Sequence, residues 1–404
     1  MRSRSRLAFL LCSLLTVSLL LGGTLSAASS ATAADKADDS PYKYLSVFME
    51  VFGLATRAYV DEPKVGGLLD GAFEGSIDAL DPFSLYVPAE AVPTFEATRK
   101  TGSKLTGMLL LKERGVAYVV AVEPGSPAAK AGLQSGDILA SVGGVRTREA
   151  PLYQTLAVLA GKPGTKLQIE RLRFGQKTNV ELELAEHPPV AVELRAEKGL
   201  AILRIPSFHP GTPKDVEKSL ETVVAPGEML PGIEAHDKLV IDLRGTAGGD
   251  EKAAYAVAGL FADGKLGALL RRGEELETFK SGKSKPFAAR LMLLTDRGTQ
   301  GAAEVFATIL QQRAGAKLVG EASFGHAGRT EMLALADGSK LQLTTAFFTG
   351  PDGKPLQEGL EPDERVRLLD DEEGKPPKDE VLDRALELLL APPAPAADKA
   401  AVAA

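Results

Sequence analysis

Two apolar runs constrain this chain more than any other part of it. Lys238–Leu243 (KLVIDL) and Arg290–Thr295 (RLMLLT) are nearly unbroken apolar stretches of strand length. That pattern fits a sheet covered on both faces, not a strand with one wet face. The first run ends in the small-residue loop Arg244-Gly-Thr-Ala-Gly-Gly249, and the second leads into Gly298-Thr-Gln-Gly-Ala-Ala-Glu304. A helical run follows each loop, and a second Gly-rich turn, VGEASFGHAGRT at 319–330, follows a short strand. Alternating strands and helices predict an α/β fold. A small-residue turn feeding a helix start is how many hydrolases present a nucleophile.

The chain is 404 residues long, enough for two or three domains with real cores. Its net charge of -7 argues against nucleic acid as the main partner, because phosphate binding needs a basic surface. Residues 1–33 read as a secretory signal. Arg2, Arg4 and Arg6 precede an apolar core, Leu7–Leu21, that is short for a membrane span, and Ala31-Thr32-Ala33 is a small-x-small cleavage site with Leu25-Ser26-Ala27 as its rival. Left uncleaved, this segment would be the only membrane contact expected. The single cysteine, Cys12, lies within it, so disulfides and thiol chemistry are not expected in the mature chain. Export without disulfides suits a bacterial periplasm or cell envelope.

In chain order, a polar linker at 35–41 precedes a helical segment, 42–100. Its apolar residues recur at helical spacing over 42–59 and 65–80, and a third helix is expected over 89–99. Asp81-Pro-Phe-Ser-Leu-Tyr86 turns into a short extended piece. From Thr101 the texture changes to strands, at 105–111, 116–122 and 138–142, with a hairpin around Gly175. Ser126-Pro127 starts a short helix that Gly132 caps, and an amphipathic helix covers 151–160. His187-Pro-Pro189 links to a last domain, 187–368, with strands expected at 200–205 and 341–348 and a helix over 213–224. An amphipathic helix at 378–390 and a disordered Ala/Pro tail complete the segment 369–404.

The run SPAAKAGLQSGDIL at 126–139 resembles a PDZ domain, covering 101–186. Such domains hold a peptide carboxylate on backbone N–H groups of the loop before their second strand, and the peptide adds as an extra strand. The resemblance implies that Leu105, Thr106, Gly107 and Met108 form that loop, and that Leu152, Leu156 and Leu159 line the groove. Only Gly107 matches the usual Gly-Leu-Gly-Phe spelling.

Taken together, DPFSLY, the PDZ-like region, IDLRGTAGG, the GT…AAE helix start, VGEASFG and the GPDGKPLQEGLEPD hook at 350–363 resemble the carboxyl-terminal processing (tail-specific) peptidases, which are Ser/Lys serine proteases. The resemblance spans about 42–368. It implies a multidomain α/β chain: a helical lead-in, a PDZ domain, and a ββα spiral core like those of crotonases and caseinolytic proteases. The family nucleophile is the middle serine of Gly-Ser/Thr-Ala-Ser-Ala-Ser-Glu. Matching Gly298, Thr299 and Glu304 puts Gly301 at that position. The family base is the lysine of Phe-Gly-Lys-Gly, and matching Phe324 and Gly325 puts His326 there. The glutamine that assists the lysine falls on Thr330. The implied oxyanion hole is Gly248 or Gly249 together with Ala302.

Glycine has no side chain, so no acyl-enzyme can form at 301. A histidine titrates near neutrality but is shorter and stiffer than lysine. Thr299, two residues upstream of Gly301, and Ser323, just before Phe324, are the candidate replacements, and Thr299 with His326 is the least unfavourable pair. His187, His209, His236 and His326 have no metal-ligand spacing, and neither Gly-rich loop spells a phosphate fingerprint, so neither metal nor cofactor is expected. The leading expectation is an exported pseudoprotease that binds protein C-termini or unfolded segments, as an adaptor, as an inactive subunit beside an active paralogue, or as a homo-oligomer. Two other readings stay open: a peptidase with relocated catalytic residues, and a structural envelope protein.

Overall fold

The computed structural model describes residues 41–113, 115–188, 190–224, 232–233, 235–282, 285–366 and 379–391. The signal read at 1–33 with its Cys12, most of the linker, and the tail beyond residue 391 lie outside the described residues. Two compact units divide the chain, Met1–Ala72 and Phe73–Ala404. In the first, α1 (Pro41–Ala58) forms where the apolar residues recur at three and four, and Phe48 stacks on Phe52 with ring centroids 6.2 Å apart. Large apolar side chains of α1, Leu45, Met49 and Val51 among them, are exposed. No helix among the described residues is long and apolar enough to cross a membrane. In sequence, α2 (Val65–Asp78) runs across the boundary between the units.

Among the described residues the second unit holds three sheets. Asp81 accepts the N–H groups of Phe83 and Ser84 at 2.8 Å each, the side-chain turn that Asp favours, and this leads into β1 (Leu85–Val87). After α3 (Val92–Thr101) comes a sheet of order β2-β3-β4-β6-β7, with β5 paired to β4. Its strands are β2 (Met108–Glu113), β3 (Val116–Val122), β4 (Ile138–Val142), β5 (Val145–Arg146), β6 (Lys166–Arg173) and β7 (Gln176–Glu183). Between them lie α4 (Pro127–Lys130), where Ser126 Oγ accepts the N–H of Ala129 at 3.2 Å, and α5 (Leu152–Leu159). Val119, Leu139, Val142, Ile169 and Leu182 are its fully buried core.

The remaining elements are β8 (Glu193–Glu197), β9 (Leu200–Arg204), α6 (Thr212–Val224), β10 (Ala235–Asp242), α7 (Glu251–Ala258), β11 (Gly264–Arg271), β12 (Glu274–Ser281), β13 (Arg290–Thr295), α8 (Ala302–Ala314), β14 (Lys317–Gly320), β15 (Gly328–Ala334), β16 (Lys340–Phe348), β17 (Glu364–Arg365) and α9 (Glu380–Leu390). Strands β17-β14-β13-β10-β9-β8 form one sheet, parallel except for β8. Leu239, Ile241, Leu291 and Leu293 face the core that holds α6, α7 and α8, while Val240, Met292 and Leu294 face α9. KLVIDL and RLMLLT are apolar on both faces along their central residues because each side of the sheet is covered. The third sheet runs β1-β16-β11-β12, with β15 beside β16. Through β1, the end of the helical lead-in pairs with β16, Leu85 opposite Gln342 and Val87 opposite Lys340. The sequence reading assigned no strand to β8, β11, β12 or β15. In β12 (EELETFKS) charged residues cover the exposed face and obscure the alternation.

At the carboxyl end of β10 the Arg244 guanidinium bonds both oxygens of Asp242, at 3.0 and 2.8 Å, and both oxygens of Asp379, at 2.7 and 2.8 Å. Asp379 also caps α9 by accepting the N–H of Leu382 at 3.0 Å. One carboxylate thus anchors the last helix and the loop that follows β10. Asp379→Ala removes a cap and one half of a bidentate pair, and it is expected to cost about 2 kcal/mol in urea unfolding. Asp379→Asn, which keeps the cap, should cost clearly less.

Candidate functional site

Two loops meet at the carboxyl ends of β10 and β13. Asp296, half-buried after β13, accepts the N–H groups of Gly245 at 2.8 Å and Gly298 at 2.9 Å, and Gln300 N–H bonds the Thr246 carbonyl at 2.9 Å. Gly298 must be glycine, since a Cβ there would collide with Ser135 of the β3–β4 connection and stand 2.9 Å from Gly245 Cα. Gly301 then opens α8 with φ 66° and ψ -114°, a backbone that side chains other than glycine rarely adopt. Space is not the obstacle, because a Cβ at 301 would meet nothing nearer than Gly248, at 3.7 Å. A side chain at 301 would therefore point toward the first loop, and glycine supplies none.

A buried carboxylate fixes this turn. Glu304, 1 % exposed, accepts the N–H of Gly301 at 2.9 Å and that of Gly325 at 2.6 Å, together with the hydroxyl of Ser323. Ser323 Oγ in turn accepts the N–H of Leu360 at 2.7 Å, from the hook that follows β16. The helix start, the Phe324-Gly325 turn and the hook therefore share one anchor.

His326 follows that turn with φ 74°, in the left-handed region. Its ring stacks on Phe83 with centroids 4.3 Å apart and packs edge-on to Phe347. Its Nε2 lies 3.1 Å from Thr344 Oγ1 and 3.8 Å from Asp81 Oδ1. Burial pulls the imidazole pKa below its usual value, against the pull of Asp81. The ring is thus held by the DPFSLY turn and β16. Thr330 stands exposed on β15, opposite Thr344. Thr299, fully buried, has its hydroxyl 3.0 Å from the Leu243 carbonyl and 3.2 Å from Asp296 Oδ1, and accepts the N–H of Asp296. Thr299 and His326 are each engaged, by different partners.

The residue that sequence reasoning missed is Gln300. Its amide, 4 % exposed, accepts the Gly248 N–H at 3.0 Å through Oε1 and donates to the His326 carbonyl at 2.9 Å through Nε2. Of the three donors expected for an oxyanion hole, Gly248 is taken by a side-chain carbonyl. A long amide between Thr299 and Gly301, in a run otherwise of small residues up to Glu304, was the available signal. Asp81, Phe83 and Thr344 were likewise missed as the surroundings of His326.

The groove residues divide. Leu105 is turned into the core of the β2–β7 sheet and does not line the groove. Thr106, Gly107 and Met108 border a cavity of about 430 Å³ whose other walls include Leu152, Leu156 and Leu159 of α5, Phe95 of α3, and Ala247–Gly249 of the first glycine loop. Gly107, with φ 68°, must be glycine because a Cβ would collide with Ser126. Backbone packing explains this glycine without a ligand.

Burial pushes the Glu304 carboxyl up to about 7, although the hydrogen bonds from Ser323, Gly301 and Gly325 favour its charge. A carboxyl whose folded pKa exceeds its unfolded value contributes stability that is complete below the unfolded pKa and is lost as pH rises through the folded one. Glu251 and Asp296 shift in the same direction, so a difference measurement isolates Glu304. Between about pH 5 and about pH 8 the unchanged protein should lose stability relative to Glu304→Gln, by on the order of 3 kcal/mol or less, in paired urea titrations.

Residues 199–366 match the family model "Peptidase family S41", and residues 118–171 match a PDZ domain model. The chain is 28% identical over 312 residues to the Carboxy-terminal processing protease CtpA of Bacillus subtilis, covering 75% of this chain and 65% of that one, so it spans slightly under two thirds of that relative's length. It is also 28% identical over 342 residues to the Carboxy-terminal-processing protease of Bartonella bacilliformis, covering 81% of this chain and 76% of that one. Among solved structures it shares the fold of the photosystem II D1 C-terminal processing protease, with a TM-score of 0.63 at 22% identity over 79% of this chain and 92% of the other. The chain resembles a C-terminal processing peptidase in sequence and architecture, with a region matching peptidase family S41 at 199–366 and a PDZ-matching region ahead of it at 118–171.

Proposed function

We propose that this chain is an exported S41 family member without acyl-transfer chemistry, and that it binds protein C-termini or unfolded segments as an inactive adaptor or regulator. One observation carries the reading: the helix-start turn has glycine where the nucleophile would stand, and the Gln300 carbonyl holds the Gly248 N–H that would bind the oxyanion. Acyl transfer needs an attacking oxygen, a base in reach, and donors free to receive developing charge. Gly301 has no side-chain oxygen, the His326 ring is held among Phe83, Phe347, Asp81 and Thr344, and one expected donor is occupied. Oxyanion groups alone leave about 10³–10⁴-fold over water in triads stripped of a catalytic residue, which against unassisted peptide hydrolysis is negligible turnover. The PDZ domain supports the binding half of the reading, and the family match supports a peptide as the ligand.

Purified protein incubated with a peptide of apolar C-terminus should release no fragments by mass spectrometry, and Thr299→Ala or His326→Ala should change nothing. Turnover that either substitution abolishes would overturn the reading in favour of relocated catalysis. Gly301→Ser alone should also stay at background, at a folding cost of about 1–3 kcal/mol from the left-handed backbone. Adding His326→Lys should not help while Gln300 keeps the Gly248 N–H.

A further inference from the structure

We infer that the groove between β2 and α5 takes an internal, extended, apolar stretch of polypeptide and does not require a C-terminal carboxylate. The inference rests on the binding role proposed above and names the ligand class for it.

A carboxylate held by a PDZ loop needs N–H groups aimed into the groove. Here the N–H groups of Thr106 and Gly107 both bond the Ser103 carbonyl, at 3.0 and 2.6 Å, and that of Met108 bonds Thr106 Oγ1 at 3.3 Å. The loop's carbonyls are tied as well: Leu105 to Ala185 N–H, Thr106 to Ala128 N–H, and Gly107 to Glu123 N–H. Opening this loop to a ligand would break bonds already made inside the protein, and each broken buried bond costs roughly 1 kcal/mol or more. Glu123, on the groove wall beside Gly107, puts a carboxylate of the protein at the same end, only partly offset by His187 Nδ1 at 3.6 Å. A second carboxylate brought there would be repelled.

The features that bind an extended backbone remain. β2 is the end strand of its sheet among the described residues, so its outer edge is open to strand addition. Leu109, Leu111, Leu152, Leu156 and Phe95 supply apolar walls. The cavity also does not stop at the loop. Val122 pairs with Met108 at the start of β2, and the Gly245 Cα carries a Cβ direction that ends 3.6 Å from the Val122 carbonyl. The cavity runs on from there along Gly245 and Ala247–Gly249. A strand added antiparallel to β2 therefore has somewhere to continue where a C-terminus would have ended. Arg99, an exposed cation of α3 that lines the same cavity, is a group that could instead receive a carboxylate, as is the unpartnered Nε2 of His187 beside Gly107.

The test uses the full chain and a short N-acetylated Leu/Val/Thr peptide, made as the free acid, as the C-terminal amide, and as an amide N-methylated at alternate residues. Binding is read by fluorescence anisotropy. Acid and amide are expected to bind within about threefold of each other, and the N-methylated form about tenfold or more weaker, because it cannot pair with the β2 edge. An amide weaker than the acid by more than about threefold overturns the inference while leaving the binding role standing. If Arg99→Ala then erases that difference, carboxylate recognition belongs to Arg99. Full affinity for the N-methylated peptide also overturns it, since strand addition would then not be the mode. If neither acid nor amide binds, the binding role itself fails, and this inference with it.

Discussion

The Glu304 carboxylate is the interaction on which the site depends. It is almost fully buried, and it gathers the N–H that opens α8, the N–H of Gly325 and the hydroxyl of Ser323. Three donors from two stretches of chain converge on two oxygen atoms, and Ser323 passes the connection on to the hook at Leu360. A buried carboxyl without such partners would be costly, so the donors and the acid must be kept together or lost together. This accounts for a frame that holds together with glycine at 301 and histidine at 326. Glu304, Ser323 and Gly325 hold the backbone in place, and that job does not need a nucleophile.

The fold was legible where burial writes itself into residue type. KLVIDL and RLMLLT had to be strands covered on both faces, and the sheet buries alternate residues of each against α6–α8 on one side and α9 on the other. SPAAKAGLQSGDIL was legible because capping and turn chemistry fix it: Ser126 caps α4, and Gly132 and Gly136 take positive φ. The hairpin β11–β12 was not legible, because exposed strands such as EELETFKS carry the charges of a solvated surface. β15 was hidden inside a motif read for its chemistry.

At the site, position in the sequence was legible and direction was not. Matching to the family's motifs put Gly301 at a helix start and His326 just past the Phe-Gly turn. It could not tell that the imidazole would stack on Phe83, because that contact joins residues on distant stretches of chain. The role of Gln300 was missed for a related reason, although its length stands out among small residues. An amide reads as an ordinary polar residue until the loop across from it is known to present the Gly248 N–H. Gly107 was misleading in the opposite way. The glycine expected from ligand recognition is required by the approach of Ser126, whatever binds in the groove.

The pairing of β1 with β16 has a consequence for how the molecule is made. Gln342 donates its side-chain amide to the Phe83 carbonyl across 259 residues of chain, beside the register that sets Leu85 opposite Gln342. Contacts of such sequence separation form late, since a long loop must close before they return any free energy. A growing or translocating chain can complete the β2–β7 sheet from local contacts long before residue 340 is available. The DPFSLY turn that surrounds His326 can settle only afterwards. The pocket of the imidazole is therefore among the last parts of the molecule to assemble, and a chain truncated before β16 would fold its PDZ module while leaving that pocket without its far wall.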